Sequence, residues 1–138
     1  MQGRDFLAVA ARLCRSDFEA DRRTSVSRAY FAVFNHIKAA LIENRIRIVK
    51  TAQGHRQISD FLNNSGIGEA QKIAVKLDGL RTIRDEADYD LHTLTFNQAT
   101  CTLEYQKAER LVHSFNGIDV DALVAGIRVY MDRTREPR

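Results

Sequence analysis

The sequence predicts an all-α fold, a bundle with two long core helices and shorter flanking helices. Apolar residues recur at helical spacing, every three or four positions, along almost the whole chain. No region shows the sustained period-two alternation between turn residues that is typical of paired strands. The single proline, Pro137, leaves every earlier segment free to be helical. A length of 138 residues suits one domain over 1–138, so we expect one bundle of about five to six helices.

The first part of the chain predicts a short helix followed by a long one. Ser16 and Glu19 have the Ser-x-x-Glu spacing of a capping box, so we expect a helix to begin here and to run to about Asn44 or Ile46. The apolar stripe of this helix consists of Val26, Tyr30, Val33, Phe34, Ile37 and Leu41. The shorter stripe before it consists of Phe6, Val9, Ala10 and Leu13.

The middle of the chain predicts a short helix and then a second long one. Segment 50–54 is interpreted as a loop, and the short helix after it carries Ile58, Phe61 and Leu62. Segment 63–68 ends that helix because Asn and Gly tolerate positive φ. The next stripe is Ile73, Leu77, Leu80, Ile83 and Ala87, and we expect segment 88–94 to be a connection.

Two further helices follow, each with its own start signal. Residues Thr95 to Gln98 form a second capping-box pattern, which opens a helix. We expect that helix to stop in a left-handed turn at Asn116–Gly117. Asp119 is placed to cap a last helix over 119–133, and the polar tail 133–138 is expected to fray.

Net charge, the spacing of cysteines and histidines, and the length of apolar runs limit the kinds of site that the chain can contain. The net charge of +3 permits nucleic-acid binding without indicating it. Cys14 and Cys101 form neither a metal-type cluster nor a disulfide framework, which fits a cytoplasmic protein. No histidine has a second His or Cys three or four positions away, so we predict no metal site and no cofactor, and we interpret His36 and His55 as structural. No apolar run reaches the roughly 18 residues that a membrane span needs, so we expect no membrane association.

A charged segment at the end of the second long helix is the best candidate for chemistry. Arg81 and Arg84 share a helix face, and Asp85 and Asp88 are spaced to hold an arginine in a fixed orientation. Tyr89 lies near the same side, one turn further on. A guanidinium beside a phenol can bind a phosphate, since its N–H groups match two phosphate oxygens. The alternative is a solvated helix end with ordinary intrahelical ion pairs.

The first long helix carries aromatic residues next to an arginine. Tyr30 and Phe31 are interpreted as core residues, with stacking on a nucleic-acid base as the alternative. Arg28 lies among apolar neighbours. It either extends outward to water or pairs with Asp85 or Asp88 across the bundle.

Segment 27–34 resembles the pattern Ser-Arg-x-Tyr-Tyr-x-x-Phe, and segment 81–89 resembles Arg-x-x-Arg-x-x-Ala-Asp-Tyr. Both patterns are those of one branch of the HEPN superfamily, which this sequence therefore resembles. Segment 50–55 is similar to a Lys-Thr-His-x-Gly loop, with Ala52 where the histidine is usual. Order and spacing agree over residues 16–115, and the last helix, 119–133, lies outside the resemblance.

The resemblance implies an antiparallel helical bundle that forms homodimers. Many HEPN proteins are ribonucleases, and many are encoded beside a small nucleotidyltransferase-like antitoxin in toxin–antitoxin or defence modules. Active members carry an arginine, usually with a polar residue after it, and a histidine a short spacer later. Dimerisation brings two such pairs into one cleft. The implied reaction is metal-independent RNA cleavage, in which the ribose 2′-hydroxyl attacks the adjacent phosphate, arginine stabilises the added charge and histidine moves protons.

The histidine of that motif is replaced in this sequence. Arg84 and Asp85 match the arginine and its polar follower, but after four intervening residues Tyr89 stands where the histidine is expected. His92 is the nearest histidine, and seven residues separate it from Arg84. A phenol is a poorer general base than an imidazole near neutral pH. The resemblance assigns catalytic roles to Arg84, Tyr89 and His92, and RNA or nucleotide binding to Arg81, Arg84, Asp85 and Asp88.

Three hypotheses about function follow. The first is a homodimer that binds RNA or a nucleotide around Arg84, Asp88 and Tyr89 and cleaves RNA in a toxin or defence setting. The second is a non-catalytic helical module that binds a nucleotidyltransferase-like antitoxin or another protein. The third is a structural domain in which the charged segment is an internal ion-pair network.

Overall fold

The computed structural model of the chain describes residues 1–92 and 96–135, which contain six α-helices and no strand. A short 3₁₀ turn, Gly3–Asp5, precedes the first helix. The helices are α1 (Phe6–Leu13), α2 (Glu19–Glu43), α3 (Gly54–Asn63), α4 (Gly68–Tyr89), α5 (Gln98–Asn116) and α6 (Val120–Thr134). The predicted all-α bundle with two long helices, α2 and α4, is therefore confirmed.

Helix α2 begins differently from the sequence-based prediction. The Ser16 hydroxyl accepts a hydrogen bond from the Phe18 amide (3.1 Å) and donates one to Asp21 (2.6 Å). The Glu19 carboxylate does not accept from the Ser16 backbone amide, as a capping box requires. It accepts a hydrogen bond from the Phe96 amide at 3.1 Å instead. The capping-box prediction is wrong because a distant loop supplies the donor for Glu19. This contact ties the start of α2 to the segment that precedes α5.

Helix α4 extends further than its apolar stripe indicates. The expected connection over 88–94 starts too early, because Asp88 and Tyr89 form the last turn of the helix, while 93–94 lie outside the described residues. Contacts with α2 stabilise this last turn, including a hydrogen bond from the Ser27 hydroxyl to Asp88 (3.2 Å). The predicted break before α4 is confirmed, since Gly66 has a φ of +79°.

The two signals predicted for the ends of α5 did not form as expected. Thr95 lies outside the described residues, and the observed N-cap is Asn97, whose side chain accepts a hydrogen bond from the Thr100 amide at 2.8 Å. The predicted left-handed stop is wrong, because Gly117 has a φ of −81°.

The cap at Asp119 is confirmed by hydrogen bonds from the amides of Asp121 and Ala122. Helix α6 runs through Thr134, and residues 136–138 of the expected frayed tail lie outside the described part.

Helix α2 is the centre of the bundle, since α1, α4 and α5 all pack on it. The main core joins α2 to the other long helices, and α6 adds Leu123 and Ile127 to it. A second, smaller cluster surrounds the α2 start and the α4 end; it consists of Cys14, Val26, Ala87, Phe96 and Cys101. Within the described ranges, no helix combines the length and apolar character that a bilayer-crossing segment requires.

Helix α6 approaches the α3–α4 turn closely at Gly126. A Cβ atom on Gly126 would collide with the backbone carbonyl of Ser65. Gly79, in the middle of α4, is the opposite case, since a Cβ there would meet no atom within 4 Å. Close packing therefore requires glycine at position 126 but not at position 79.

We predict that Gly126→Ala lowers the free energy of unfolding by about 1–3 kcal/mol, because α6 must shift to relieve the collision with Ser65. Gly79→Ala is the matched control and should raise the free energy of unfolding by about 1 kcal/mol through helix propensity. Urea denaturation of both variants provides the measurement. Equal changes in the two proteins would contradict the close approach of α6.

Candidate functional site

Two carboxylates of its own helix hold the guanidinium of Arg84. Arg84 Nη1 lies 2.8 Å from Asp85 Oδ1, and Arg84 Nε lies 2.9 Å from Asp88 Oδ2. The Arg84 side chain is only 20% exposed. Burial opposes its charge, but the hydrogen bond that Arg84 donates to Asp85 and the charge of Asp88 outweigh this effect, so the pKa of Arg84 lies above its usual value. Arg84 is therefore a fixed, permanently charged group.

Aromatic rings surround the same guanidinium. Its carbon lies 4.9 Å from the centroid of the Phe31 ring, 5.7 Å from that of Tyr89 and 6.0 Å from that of Tyr30. These contacts allow cation–π stabilisation on top of the two ion pairs. Tyr30 is buried in the core, as predicted, whereas Phe31 is only partly buried and lies beside the charged site. Helices α2 and α4, which carry the two main motifs, therefore meet at Arg84.

Arg28 and Arg81 lie next to this centre but, among the described residues, form no ion pair with its two carboxylates. Arg28 lies over the rings of Phe6 and Phe31, at 5.1 Å from each centroid. Within the described residues it forms no ion pair with Asp85 or Asp88, so the cross-bundle pairing considered for Arg28 is not present. Arg81, one turn before Arg84, lines a neighbouring groove of about 480 Å³ together with Asp85.

Tyr89 and His92 lie at the exposed edge of the site. The Tyr89 side chain is 75% exposed, and His92 is exposed in the turn after α4. No hydrogen bond, ion pair or ring contact joins Arg84 to a histidine within residues 1–92 and 96–135. The same ranges contain no group of three or more His, Cys, Asp or Glu side chains placed to hold a metal ion.

A buried histidine network supports the aromatic side of the site. The Tyr30 hydroxyl lies 2.7 Å from His55 Nδ1, and His55 Nε2 lies 2.7 Å from Asp78 Oδ1. A carboxylate can only accept, so we assign the proton to Nε2, and Nδ1 then accepts from the Tyr30 hydroxyl. The Ser59 hydroxyl also donates to Asp78, at 3.1 Å. Both ring nitrogens of His55 are therefore occupied, in agreement with a structural role.

Burial of this network shifts the pKa values of His55 and Tyr30. Burial lowers the pKa of His55, against the opposing effect of the hydrogen bond with Asp78. Burial also raises the pKa of Tyr30, which keeps its phenol protonated. His55 thus remains a neutral acceptor that fixes the ring of Tyr30 near Arg84. Sequence reasoning identified His55 as structural but not its partners, since Asp78 and Tyr30 are distant in the chain.

Arg23 fixes the end of α4. Its buried guanidinium donates to the backbone carbonyls of Glu86 (3.3 Å), Ala87 (2.9 Å) and Asp90 (3.0 Å), and it lies over the ring of Phe96. The last carbonyls of a helix have no partner within the helix, and a cation there also suits the helix dipole. Arg23 was not singled out from the sequence, and its only local signal is its spacing of four from Glu19, with which it forms an ion pair.

One comparison with known protein families identifies the family of the chain. The family model for the HEPN domain matches residues 1–118 of the chain. The chain therefore belongs to the HEPN family. The match includes α1, which lies before the segment 16–115 of the resemblance, and it ends just before α6. Neither the curated proteins nor the solved structures gave a significant match.

We predict that Arg23→Met lowers the free energy of unfolding by about 3 kcal/mol, because the buried carbonyls at the end of α4 lose their donors. Hydrogen exchange should become faster in the last turn of α4 than in its middle. Arg28→Met is the matched control, since Arg28 contacts rings rather than carbonyls. An equal loss of stability in both variants would argue against a specific role of Arg23 at the helix end.

The lowered pKa of His55 predicts a pH dependence of stability. The unfolded chain binds a proton at this residue near pH 6.5, whereas the folded protein resists it, so the free energy of unfolding should fall as the pH drops below about 6.5. The His55→Gln variant should show a weaker fall than the wild type. Chemical denaturation between pH 5 and 8 is the measurement. Parallel curves for wild type and His55→Gln would show that His55 is not the titrating group.

Proposed function

We propose that this HEPN-family protein is an RNA-binding homodimer whose site is built on Arg84, Asp85, Asp88 and Tyr89. The observation that carries the proposal is the orientation of Arg84, which its two carboxylates and Phe31 fix beside an exposed phenol. The ion pairs involve Nη1 and Nε. Among the described residues, Arg84 Nη2 has no hydrogen-bond partner. That amino group is the part of the guanidinium that donates a hydrogen bond to a phosphodiester oxygen.

Tyr89 and Arg81 extend the proposed RNA site on either side of Arg84. Tyr89 presents an exposed ring, on which an unstacked base can lie, and a hydroxyl for hydrogen bonding. Arg81, one turn earlier on α4, adds a second cation along the same helix. In the proposed dimer, two copies of the 84–92 segment face one cleft. The full chain acts as one domain, to which α6 is an added helix.

Metal-independent cleavage is the reaction we assign to this site. The 2′-oxygen forms a bond to the adjacent phosphorus and the bond from phosphorus to O5′ breaks, which yields a 2′,3′-cyclic phosphate and a 5′-hydroxyl end. Arg84 stabilises the added negative charge on the phosphate. The imidazole of His92 accepts the proton of the 2′-hydroxyl, water protonates the leaving oxygen, and the hydroxide so formed takes the proton back from His92. Tyr89 is the base-stacking partner in this scheme.

A second candidate function is a non-catalytic module that binds a nucleotidyltransferase-like antitoxin. Two observations favour it: both carboxylates already neutralise Arg84, and no histidine contacts Arg84 within the described residues. The exposed side chains of Tyr89 and Leu91 would then belong to a protein interface. This candidate predicts a stable complex with a partner and no RNA cleavage by the free protein.

We predict that Arg84→Ala weakens binding of single-stranded RNA by about tenfold or more, because a charge-assisted contact to phosphate is lost. Arg128→Ala, on α6, is the matched control and should bind RNA as the wild type does. The assay measures RNA binding, and cleavage in EDTA, for both variants and for Tyr89→Phe and His92→Ala. Sedimentation analysis of the wild type tests the dimer.

The outcomes separate the two candidates. Cleavage that yields cyclic phosphate and is lost in both Arg84→Ala and His92→Ala supports the ribonuclease. RNA binding without cleavage by the wild type supports a non-catalytic role. Wild-type RNA affinity in Arg84→Ala would overturn the proposed site, and a monomer at high concentration would overturn the shared cleft.

A further inference from the structure

A second groove, separate from the Arg84 site, lies between α4 and α5. Its volume is about 590 Å³, within the size range of small-molecule sites. Leu80 and Ile83 of α4 and Leu111 of α5 provide its apolar lining, and none of the described lining residues is aromatic. Neither the carboxylates nor the rings around Arg84 belong to that lining. The groove is thus a distinct feature of another side of α4.

Gly79 leaves the groove open in the middle of α4. It belongs to the lining, and a Cβ placed on it would meet no atom within 4 Å. Glycine is less favourable than alanine inside a helix, and packing gives no reason for glycine at this position, in contrast to Gly126. The missing side chain therefore leaves free space beside the apolar lining.

Helices α4 and α5 run antiparallel along the groove. Ala87, near the end of α4, and Cys101, near the start of α5, belong to the same small buried cluster. Leu80, earlier in α4, and Leu111, later in α5, both belong to the main core instead. The first lining residues of α4 therefore lie at the same end of the groove as the last lining residues of α5.

That end of the groove carries two cations without a partner. Lys76 is the first residue of the α4 lining, and Arg110 lies one turn before Ser114, the last residue of the α5 lining. Both cations are exposed, and neither side chain forms an ion pair or a hydrogen bond within residues 1–92 and 96–135. Towards the other end, Glu104 neutralises Lys107, since its Oε1 lies 3.0 Å from Lys107 Nζ. The unpaired positive charge of the groove is therefore concentrated at its Lys76 end.

A ligand that fits this groove has a flexible apolar body and one anionic end. Ile83 lies seven positions after Lys76 in the lining, a rise of about 10 Å, which matches a chain of about eight to ten carbons. The leucine and isoleucine side chains offer aliphatic contacts, and the methylene stems of Lys76 and Arg110 extend them towards the anion. Because the described lining has no ring on which to stack, it favours an alkyl chain over an aromatic body.

We propose that the α4–α5 groove binds a medium-chain aliphatic carboxylate. Its alkyl chain lies in the space beside Gly79, against Leu80 and Ile83. Its carboxylate accepts hydrogen bonds from Arg110, whose guanidinium matches two carboxylate oxygens, and pairs with Lys76. Binding uses no group of the proposed RNA site, so the two proposals are tested separately.

Isothermal titration calorimetry of the full chain with octanoate and with 1-octanol, the uncharged alcohol of the same chain length, tests the proposal. Octanoate should bind at least about tenfold more tightly than 1-octanol, since only the carboxylate pairs with the two cations. Replacing both cations, with Lys76→Gln and Arg110→Gln in one protein, should reduce the affinity for octanoate to that for 1-octanol. Gly79→Leu should abolish binding of both compounds, because its side chain occupies the open space of the groove.

Three variants control for folding and for general charge. Lys72→Gln removes a lysine that lies one turn before Lys76 and outside the lining, and it should bind octanoate as the wild type does. Gly68→Leu places the same bulk outside the groove, and Gly79→Ala fills only a small part of it, so both should still bind octanoate. The proposal is overturned if folded wild-type protein shows no binding of millimolar octanoate, if 1-octanol binds as tightly, or if Gly79→Leu or the double variant keeps wild-type affinity.

Discussion

The ion pairs of Arg84 with Asp85 and Asp88 are the interaction on which the site depends. A largely buried guanidinium is stable only when opposite charge and hydrogen-bonding partners accompany it. Because the three residues lie within one turn and a half of α4, the helix itself supplies the partners. The helix thus supplies the opposite charge, although, within the described ranges, Arg84 Nε is buried without a hydrogen bond. The surrounding protein adds the rings of α2 and must keep α4 helical as far as Tyr89.

Two contacts from outside α4 meet that requirement. Arg23 satisfies the carbonyls at the end of the helix, and Ser27 hydrogen bonds to Asp88. On the opposite side, His55 fixes the ring of Tyr30, one of the rings near the guanidinium. Each contact is largely buried, so each also contributes to stability. The same residues therefore hold the bundle together and fix the orientation of its candidate site.

Two sides of helix α4 carry features that could bind a ligand. One side carries the fixed arginine with its exposed phenol, and the other carries a groove whose lining includes a glycine and a nearly buried carboxylate. A fixed arginine suits the positioning of a phosphate, whereas proton transfer needs a group that the geometry does not place next to Arg84. In the proposed function, the distinction between RNA binding and RNA cleavage rests on His92, which is exposed in the turn after α4.

The sequence by itself determined the all-α class, the approximate positions of the helices, the cap at Asp119 and the pairing of Arg84 with carboxylates of its own helix. These features depend on helical periodicity and on residues close in the chain. Only the tertiary structure decided the partner of Glu19, the last turn of α4 and the link from Tyr30 through His55 to Asp78. Those contacts join residues that are far apart in the chain, and local spacing carries no information about which distant helix supplies a donor.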